Sequence, residues 1–147
     1  MEFHKILIAI DNCKSAEVVA LNGLQIAQQY HAEIALVSII DPEANWGGEQ
    51  PTPREMDDMI DGNFNTSQQN VIDKVFKNYP VKTFIEQGKP YEIILKIADE
   101  WGADVIVMGT HGRKGLSHLL IGSVAEEVIR HTKKTLVVIP VSESNEA

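Results

Sequence analysis

The sequence is short of cysteine and of basic residues. Cys13 is the only cysteine among 147 residues, so an intrachain disulfide is excluded and a reducing compartment is favoured. The 13 lysines and arginines are outnumbered by 21 acidic residues, which gives a net charge of −8. Nucleic acids and anionic membranes are bound by basic faces. We therefore expect neither a nucleic acid nor a membrane as a partner.

Long apolar runs are also missing. The apolar run Ile6–Ile10 stops at Asp11. It is far shorter than the ~20 residues of a membrane span, and it is also too short for the core of a secretory signal. No targeting segment is visible, and we expect a cytoplasmic location. The hydrophobic content of 44% is ordinary for a globular chain. The length predicts a single domain over residues 1–147 with room for a sizeable core.

The most informative stretch is a glycine-rich loop. Residues 105–108 are apolar and mostly β-branched, which predicts a buried strand, and residues 124–130 predict a helix. The segment between them, 109–123, is rich in glycine and carries Arg113 and Lys114. Glycines let backbone N–H groups approach a phosphate, and a helix N-terminus adds partial positive charge. This order of strand, loop and helix predicts an anion site.

The glycine spacing distinguishes between kinds of phosphate site. It fits neither the P-loop nor the dinucleotide fingerprint G-x-G-x-x-G. It does fit Gly, two residues, Gly, nine residues, Gly-Ser, with Gly109, Gly112, Gly122 and Ser123 at the four positions. That spacing is the ATP-binding signature of the universal stress protein family, which this chain resembles from Ile6 to Pro140.

A purely structural interpretation of the same residues stands beside this one. Gly109 and Gly112 could serve only as turn residues. Ser123 could be a helix N-cap, because Ser123 and Glu126 have the spacing of a capping box. Capping by the hydroxyl group and phosphate binding by backbone N–H groups are compatible, since the groups are separate.

Strand and helix patterns alternate along the whole chain. The predicted strands are 5–10, 33–39, 81–86, 104–108 and 135–139. A helix follows each of the first four strands, and the second is predicted to run from a capping box at Thr52 and Glu55 to about Tyr79. Gly102 is the predicted C-cap of the third. Short connections and right-handed crossovers predict an α/β fold, a doubly wound five-stranded parallel sheet of order 3-2-1-4-5 with helices on both faces.

That strand order brings distant residues together. The first and fourth strands are neighbours, and the winding direction reverses between them, which is where such sheets bind ligands. Asp11 follows the first strand and the glycine-rich loop follows the fourth, so both should reach this crevice. Asp11 could equally cap the first helix.

The resemblance implies more specific roles. In ATP-binding members the aspartate that ends the first strand faces the adenosine, and Asp11 matches it. A backbone contact to adenine falls on Val37. Arg113 occupies a position that is usually basic and suits a phosphate. The complete nucleotide-binding set that we predict is Asp11, Val37, Met108, Gly109, Gly112, Arg113, Gly122, Ser123 and Val124.

The resemblance also implies a function and an assembly. We expect an ATP-binding universal stress protein that couples nucleotide occupancy to a stress response or a partner, and a homodimer paired through strand five. ATP would bring Mg²⁺ with its phosphates, since no protein residues have the spacing of metal ligands. No catalytic base can be assigned, so at most a slow ATPase is expected. The alternatives are this slow ATPase, or a member that binds AMP, ADP or no nucleotide.

Overall fold

The computed structural model describes residues 2–11, 15–42, 52–58, 62, 64–110 and 122–141. The strands are β1 (Lys5–Ala9), β2 (Glu33–Ile40), β3 (Val81–Gln87), β4 (Val105–Gly109) and β5 (Thr135–Ile139). The helices are α1 (Ser15–Tyr30), α2 (Pro53–Asp58), α3 (Asn65–Val75), α4 (Pro90–Trp101) and α5 (Ser123–His131).

The five strands form one parallel sheet in the order β3-β2-β1-β4-β5, which confirms the predicted fold. The central strand β1 pairs with β2 on one side and with β4 on the other. Ile8, for example, lies between Leu36 and Val107. The order places β3 and β5 at the two edges, as expected for β5.

The sheet has a hydrophobic core on each face because successive side chains of a strand point to opposite sides. In β1, Ile6 and Ile8 pack with residues of α1 and α3, while Leu7 packs with residues of α4 and α5. All three side chains are fully buried. Burial on both faces explains why the central strands are continuous apolar runs without alternation.

Helix α1 carries a glycine where it contacts the central strand. A Cβ atom built on Gly23 would lie 2.3 Å from Cδ1 of Ile8, closer than real side-chain atoms approach. A larger residue at this position would therefore require the Ile8 side chain or the helix to shift. The glycine thus lets α1 pack directly on the Ile8 side chain of β1.

One predicted helix is divided in the structure. The segment predicted as one helix from Thr52 to about Tyr79 contains two described helices, α2 and α3, and α3 ends at Val75. Phe76 leaves the helical conformation with φ −102° and ψ 27°, and its side chain is 1% exposed in the core. The Tyr79 hydroxyl group hydrogen-bonds to the carbonyl of Ala32. Because these two aromatic side chains pack against the rest of the molecule, α3 ends earlier than the sequence pattern predicts.

Two predicted helix ends are confirmed. Thr52 and Glu55 form a reciprocal capping box in which each backbone N–H donates to the other side chain at 3.2 Å. Gly102 ends α4 in the left-handed conformation with φ 82°, and its N–H donates to the Ala98 carbonyl at 3.0 Å. A glycine adopts that conformation without the strain of a Cβ atom.

The amino ends of β1 and β4 are joined by Asp104. Its Oδ2 atom accepts hydrogen bonds from the backbone N–H groups of His4 at 2.7 Å and Lys5 at 2.9 Å. Its own N–H donates to the Lys5 carbonyl at 2.8 Å. These two donors, that of His4 foremost, favour the carboxylate form and hold the pKa of Asp104 below its usual value.

This arrangement predicts a pH dependence of stability. The pKa of Asp104 is lower in the folded chain, so its stabilising effect is complete above the unfolded carboxyl pKa of about 4 and is lost as pH falls through the folded value. Asp104→Asn should therefore lower the melting temperature near neutral pH, and the difference from wild type should shrink as the solution is acidified. Circular dichroism melts over a pH series measure it. A difference that stays constant through the acidic range would contradict the prediction.

Candidate functional site

The candidate site lies at the carboxyl ends of β1 and β4. These strands pair side by side through Ile6–Val105, Leu7–Ile106 and Ile8–Val107. From β1 the sheet continues outward to β2 and β3, and from β4 it continues the opposite way to β5. The winding therefore reverses between β1 and β4, and a doubly wound sheet has its ligand-binding crevice beyond the carboxyl ends of such a strand pair.

The start of α5 is fastened to the end of β4. The backbone N–H of Gly122 donates to the carbonyl of Thr110 at 2.7 Å, and Thr110 directly follows Gly109, the last residue of β4. The N–H of Thr110 in turn donates to the Ile139 carbonyl at 3.0 Å. Gly109, at one end of the predicted motif, is thus brought next to Gly122 at the other. The eleven residues between Thr110 and Gly122 lie outside the described part of the chain.

The predicted capping box at Ser123 is wrong. Gly122 is the N-cap, with extended angles φ −64° and ψ 159°, and Ser123 is the first residue of the helix. Glu126 is therefore one position too far along to reach back. Its N–H donates to the Gly122 carbonyl at 3.0 Å, and its carboxylate pairs with Arg130 at 2.9 Å one turn later. The helix begins one residue earlier than predicted because Gly122 already has the cap conformation.

With Gly122 as the N-cap, the start of α5 can bind a ligand through its backbone donors. No side chain of the described residues caps the first turn of α5, and the Ser123 side chain is exposed. The first backbone N–H groups of a helix have no partner within the helix. Together with the helix dipole they favour an anion at this end. Ser123 and Val124 therefore present backbone donors beside the crevice, and Ser123 adds a hydroxyl group.

The side chains of Val37 and Met108 are not accessible. They are 0% and 5% exposed and pack in the core between the sheet and helices α4 and α5. The Val37 carbonyl accepts the N–H of Ile10 at 3.0 Å, so that oxygen already belongs to the sheet. Either residue would have to contribute to a ligand site through its remaining backbone groups, and the predicted adenine contact of Val37 stays a prediction.

A residue that the sequence analysis missed lies two positions farther along β2. Backbone groups of a strand alternate between its two neighbours, so Ile39 faces the same side as Val37. The pairing of β1 with β2 ends at Ala9 and Val37, whereas β2 continues to Ile40 beside β3. The N–H and carbonyl of Ile39 therefore face the space beyond the end of β1. Only the relative lengths of β1 and β2 could have revealed the position of Ile39, and the sequence pattern does not fix the carboxyl end of either strand.

The remaining predicted residues divide into two groups. Asp11 is half-buried, two residues after the end of β1, so the topology delivers it to the crevice as expected. Gly112 and Arg113 lie outside the described residues.

Within the described ranges, no three or more His, Cys, Asp or Glu side chains are grouped so as to hold a metal ion. In the same ranges, none of the helices has the length and apolar character to cross a membrane.

Comparison with known proteins gives matches over nearly the whole chain. A universal stress protein of Methanocaldococcus jannaschii, MJ0577, is 29% identical over 154 aligned residues, which cover 93% of this chain and 94% of the relative. The solved structure of MJ0577 superposes with a TM-score of 0.83 at 28% identity and covers 97% of this chain and 99% of that one.

Two further solved structures share the fold. A universal stress protein in complex with cAMP has a TM-score of 0.73 at 18% identity and covers 95% of this chain and 98% of its own. One from Archaeoglobus fulgidus in complex with dAMP has a TM-score of 0.68 at 20% identity and covers 95% and 99%. The sequence model of the universal stress protein family matches residues 2–140. The chain belongs to the universal stress protein family.

Proposed function

We propose that this chain binds ATP at the carboxyl ends of β1 and β4, and that the ATP phosphates carry Mg²⁺. The observation that carries the proposal is the N-terminus of α5, which no side chain of the described residues caps and which the Gly122–Thr110 hydrogen bond of 2.7 Å joins to the end of β4. Backbone donors of the helix therefore lie at the point where a doubly wound sheet binds its ligands. The same site accommodates a charged phosphate chain without any protein metal ligand.

The phosphates would lie on the N–H groups of Ser123 and Val124. Gly109 and Gly122 flank this position, where the absence of a Cβ atom leaves room for a ligand beside the backbone. By their spacing in the sequence, Gly112 and Arg113 belong to the same motif, and Arg113 would add a cation. The donors are backbone groups, so the affinity depends more on the shape of the chain than on its net charge of −8.

The adenosine would lie on the β1 and β2 side of the crevice. The Asp11 carboxylate can accept hydrogen bonds from ribose hydroxyl groups. The backbone of Ile39 offers both a donor and an acceptor, the combination that the edge of adenine requires, whereas the Val37 carbonyl is already paired with the N–H of Ile10. Two solved relatives of this fold bind the adenine nucleotides cAMP and dAMP. This supports adenine as the base of the ligand, and it leaves the number of phosphates open. Titration with ATP, ADP and AMP in parallel would rank the three ligands.

The biological role that we propose is regulatory. A cytoplasmic module of this kind would couple adenine nucleotide occupancy to a stress response through a partner. Fast hydrolysis requires a positioned water molecule and a group that activates it. No described residue beside the α5 N-terminus has been assigned as such a base, so slow ATP turnover is the alternative to pure binding. Phosphate release from the purified protein separates the two functions.

Gly122→Val tests the phosphate site directly. The Gly122 angles of φ −64° and ψ 159° are open to valine, so the fold should survive. The branched side chain should occupy the space that the phosphates need, and we expect no measurable ATP binding at concentrations that saturate wild type. Calorimetric titration measures the binding, and circular dichroism verifies the fold.

The matched control for this variant is Gly62→Val. Gly62 is exposed, and a Cβ atom at that position meets no other atom within 4 Å. This variant should bind ATP as wild type does. If folded Gly122→Val also binds as tightly as wild type, the N-terminus of α5 is not the phosphate site and the assignment fails.

Ser123→Ala should separate binding from stability. The serine side chain is exposed and caps nothing, so its loss should change the free energy of unfolding by less than about 0.5 kcal/mol. Loss of one hydrogen bond to a phosphate should weaken ATP binding by about 1 kcal/mol, or roughly five-fold. Thermal melts without ligand and calorimetric titrations measure the two effects. A large drop in melting temperature with unchanged affinity would instead support the purely structural interpretation.

We also propose that the chain forms a homodimer through the edge strand β5. Residues 136–138 are apolar and only half-buried, and an unpaired apolar edge favours pairing with another strand. Val138→Lys should shift the protein toward monomer by placing a charge in that interface. Thr83→Lys, on the opposite edge strand β3, is the matched control and should leave the mass unchanged. Light scattering that gives a monomer mass for wild type at micromolar concentration would contradict the proposal.

A further inference from the structure

Thr110 joins three separate segments of the chain. Its N–H donates to the carbonyl of Ile139, and its carbonyl accepts the N–H of Gly122. Its hydroxyl oxygen accepts the N–H of Val141 at 3.1 Å and lies 3.2 Å from the Val141 carbonyl, to which the hydroxyl group can donate. The end of β4, the start of α5 and the residues that follow β5 therefore meet at one residue.

The hydroxyl group is the part of this junction that depends on the residue type. Any residue other than proline could make the two backbone hydrogen bonds. The bonds to Val141 need a side-chain oxygen close to the main chain, which only threonine or serine supplies in this geometry. Val141 itself is 5% exposed and packs with the core on the α1 and α3 face. An unpaired N–H group at this buried residue would be costly, so the hydroxyl group holds the chain beyond β5 in place.

We infer that Thr110 is a positioning residue that transmits nucleotide occupancy at the N-terminus of α5 to the carboxyl end of the edge strand β5. The inference rests on the proposed ATP site. The N–H of Gly122, which Thr110 holds, is followed directly by the Ser123 and Val124 N–H groups that would bind the phosphates. A ligand that fixes those donors stabilises the Gly122–Thr110 bond, and Thr110 passes the restraint to Val141.

Thermodynamic linkage makes this coupling measurable in both directions. If ATP stabilises the hydrogen bonds of Thr110, then an intact hydroxyl group must strengthen ATP binding by the same factor. Any bound ligand slows the exchange of amides that open by global unfolding, so with a merely structural Thr110, ATP would slow the Val141 amide no more than those amides. A Thr110 that transmits occupancy adds protection at Val141 beyond that amount, and the two possibilities therefore differ in a quantity that can be observed at a single residue.

The binding test uses two substitutions and one control. Thr110→Val keeps the shape of the side chain and removes the hydroxyl group, whereas Thr110→Ser keeps the hydroxyl group. Thr83→Val makes the same exchange at an exposed position on β3. We expect Thr110→Val to weaken ATP binding by roughly five-fold or more, the lower end of coupling between sites. Thr110→Ser and Thr83→Val should bind within about two-fold of wild type. Equal affinity for wild type and Thr110→Val, both folded by circular dichroism, would overturn the inference.

Hydrogen exchange of the Val141 amide, followed by nuclear magnetic resonance, supplies the second readout. Relative to amides that exchange by global unfolding, ATP should slow this exchange in wild type and in Thr110→Ser, but not in Thr110→Val. Exchange that ATP leaves unchanged in a wild-type protein that binds ATP would overturn the inference while the proposed function stands. Absence of ATP binding by wild type would instead refute the proposed function, and the inference with it.

Discussion

The pairing of β1 with β4 is the constraint on which the rest of the molecule depends. These strands are neighbours in space but not in the sequence. After β1 the chain forms β2 and β3, and it reaches β4 through α4, which lies on the face of the sheet opposite α1. Each end of the pair is secured by one residue that hydrogen-bonds across to another segment. Asp104 binds the backbone at the start of β1 at the amino ends, and Thr110 binds the segments around β5 and α5 at the carboxyl ends. The strand pair is therefore held at both ends.

The sequence predicts this architecture well because its main signals are local and strong. A strand that is buried on both faces requires an uninterrupted apolar run, and residues 105–108 have no other interpretation between a C-capping Gly102 and a glycine-rich loop. Five predicted strands alternating with four predicted helices, together with right-handed crossovers, leave few possible strand orders. The capping box at Thr52 is also a purely local feature, and it forms as predicted.

The features that the sequence did not reveal depend on conformation or on distant partners. Ser123 and Glu126 have the spacing of a capping box, but Gly122 has extended angles and the helix starts one residue earlier. The Glu126 carboxylate instead pairs with Arg130. Helix α3 ends at Val75 because Phe76 is drawn into a core that only the folded chain possesses. The role of Thr110 rests on Val141, 31 residues away, and no local pattern joins the two. In each case a contact made by folding overrides a local preference.

The net negative charge of the chain does not conflict with the proposed polyphosphate site. At physiological ionic strength the Debye length is about 8 Å, so most of the net charge of −8 is screened from the crevice. Backbone N–H donors at a helix terminus act at hydrogen-bond distance, which is shorter than this screening length. They select for negative charge and not for the base, so in the proposed site discrimination among nucleotides would fall to Asp11 and to the end of β2. Because the donors belong to a helix that is fastened to β4 and β5, any binding energy they gain must also bias the edge of the sheet. A site built in this way is suited to reporting occupancy, whereas catalysis would require a side chain aimed at the phosphate.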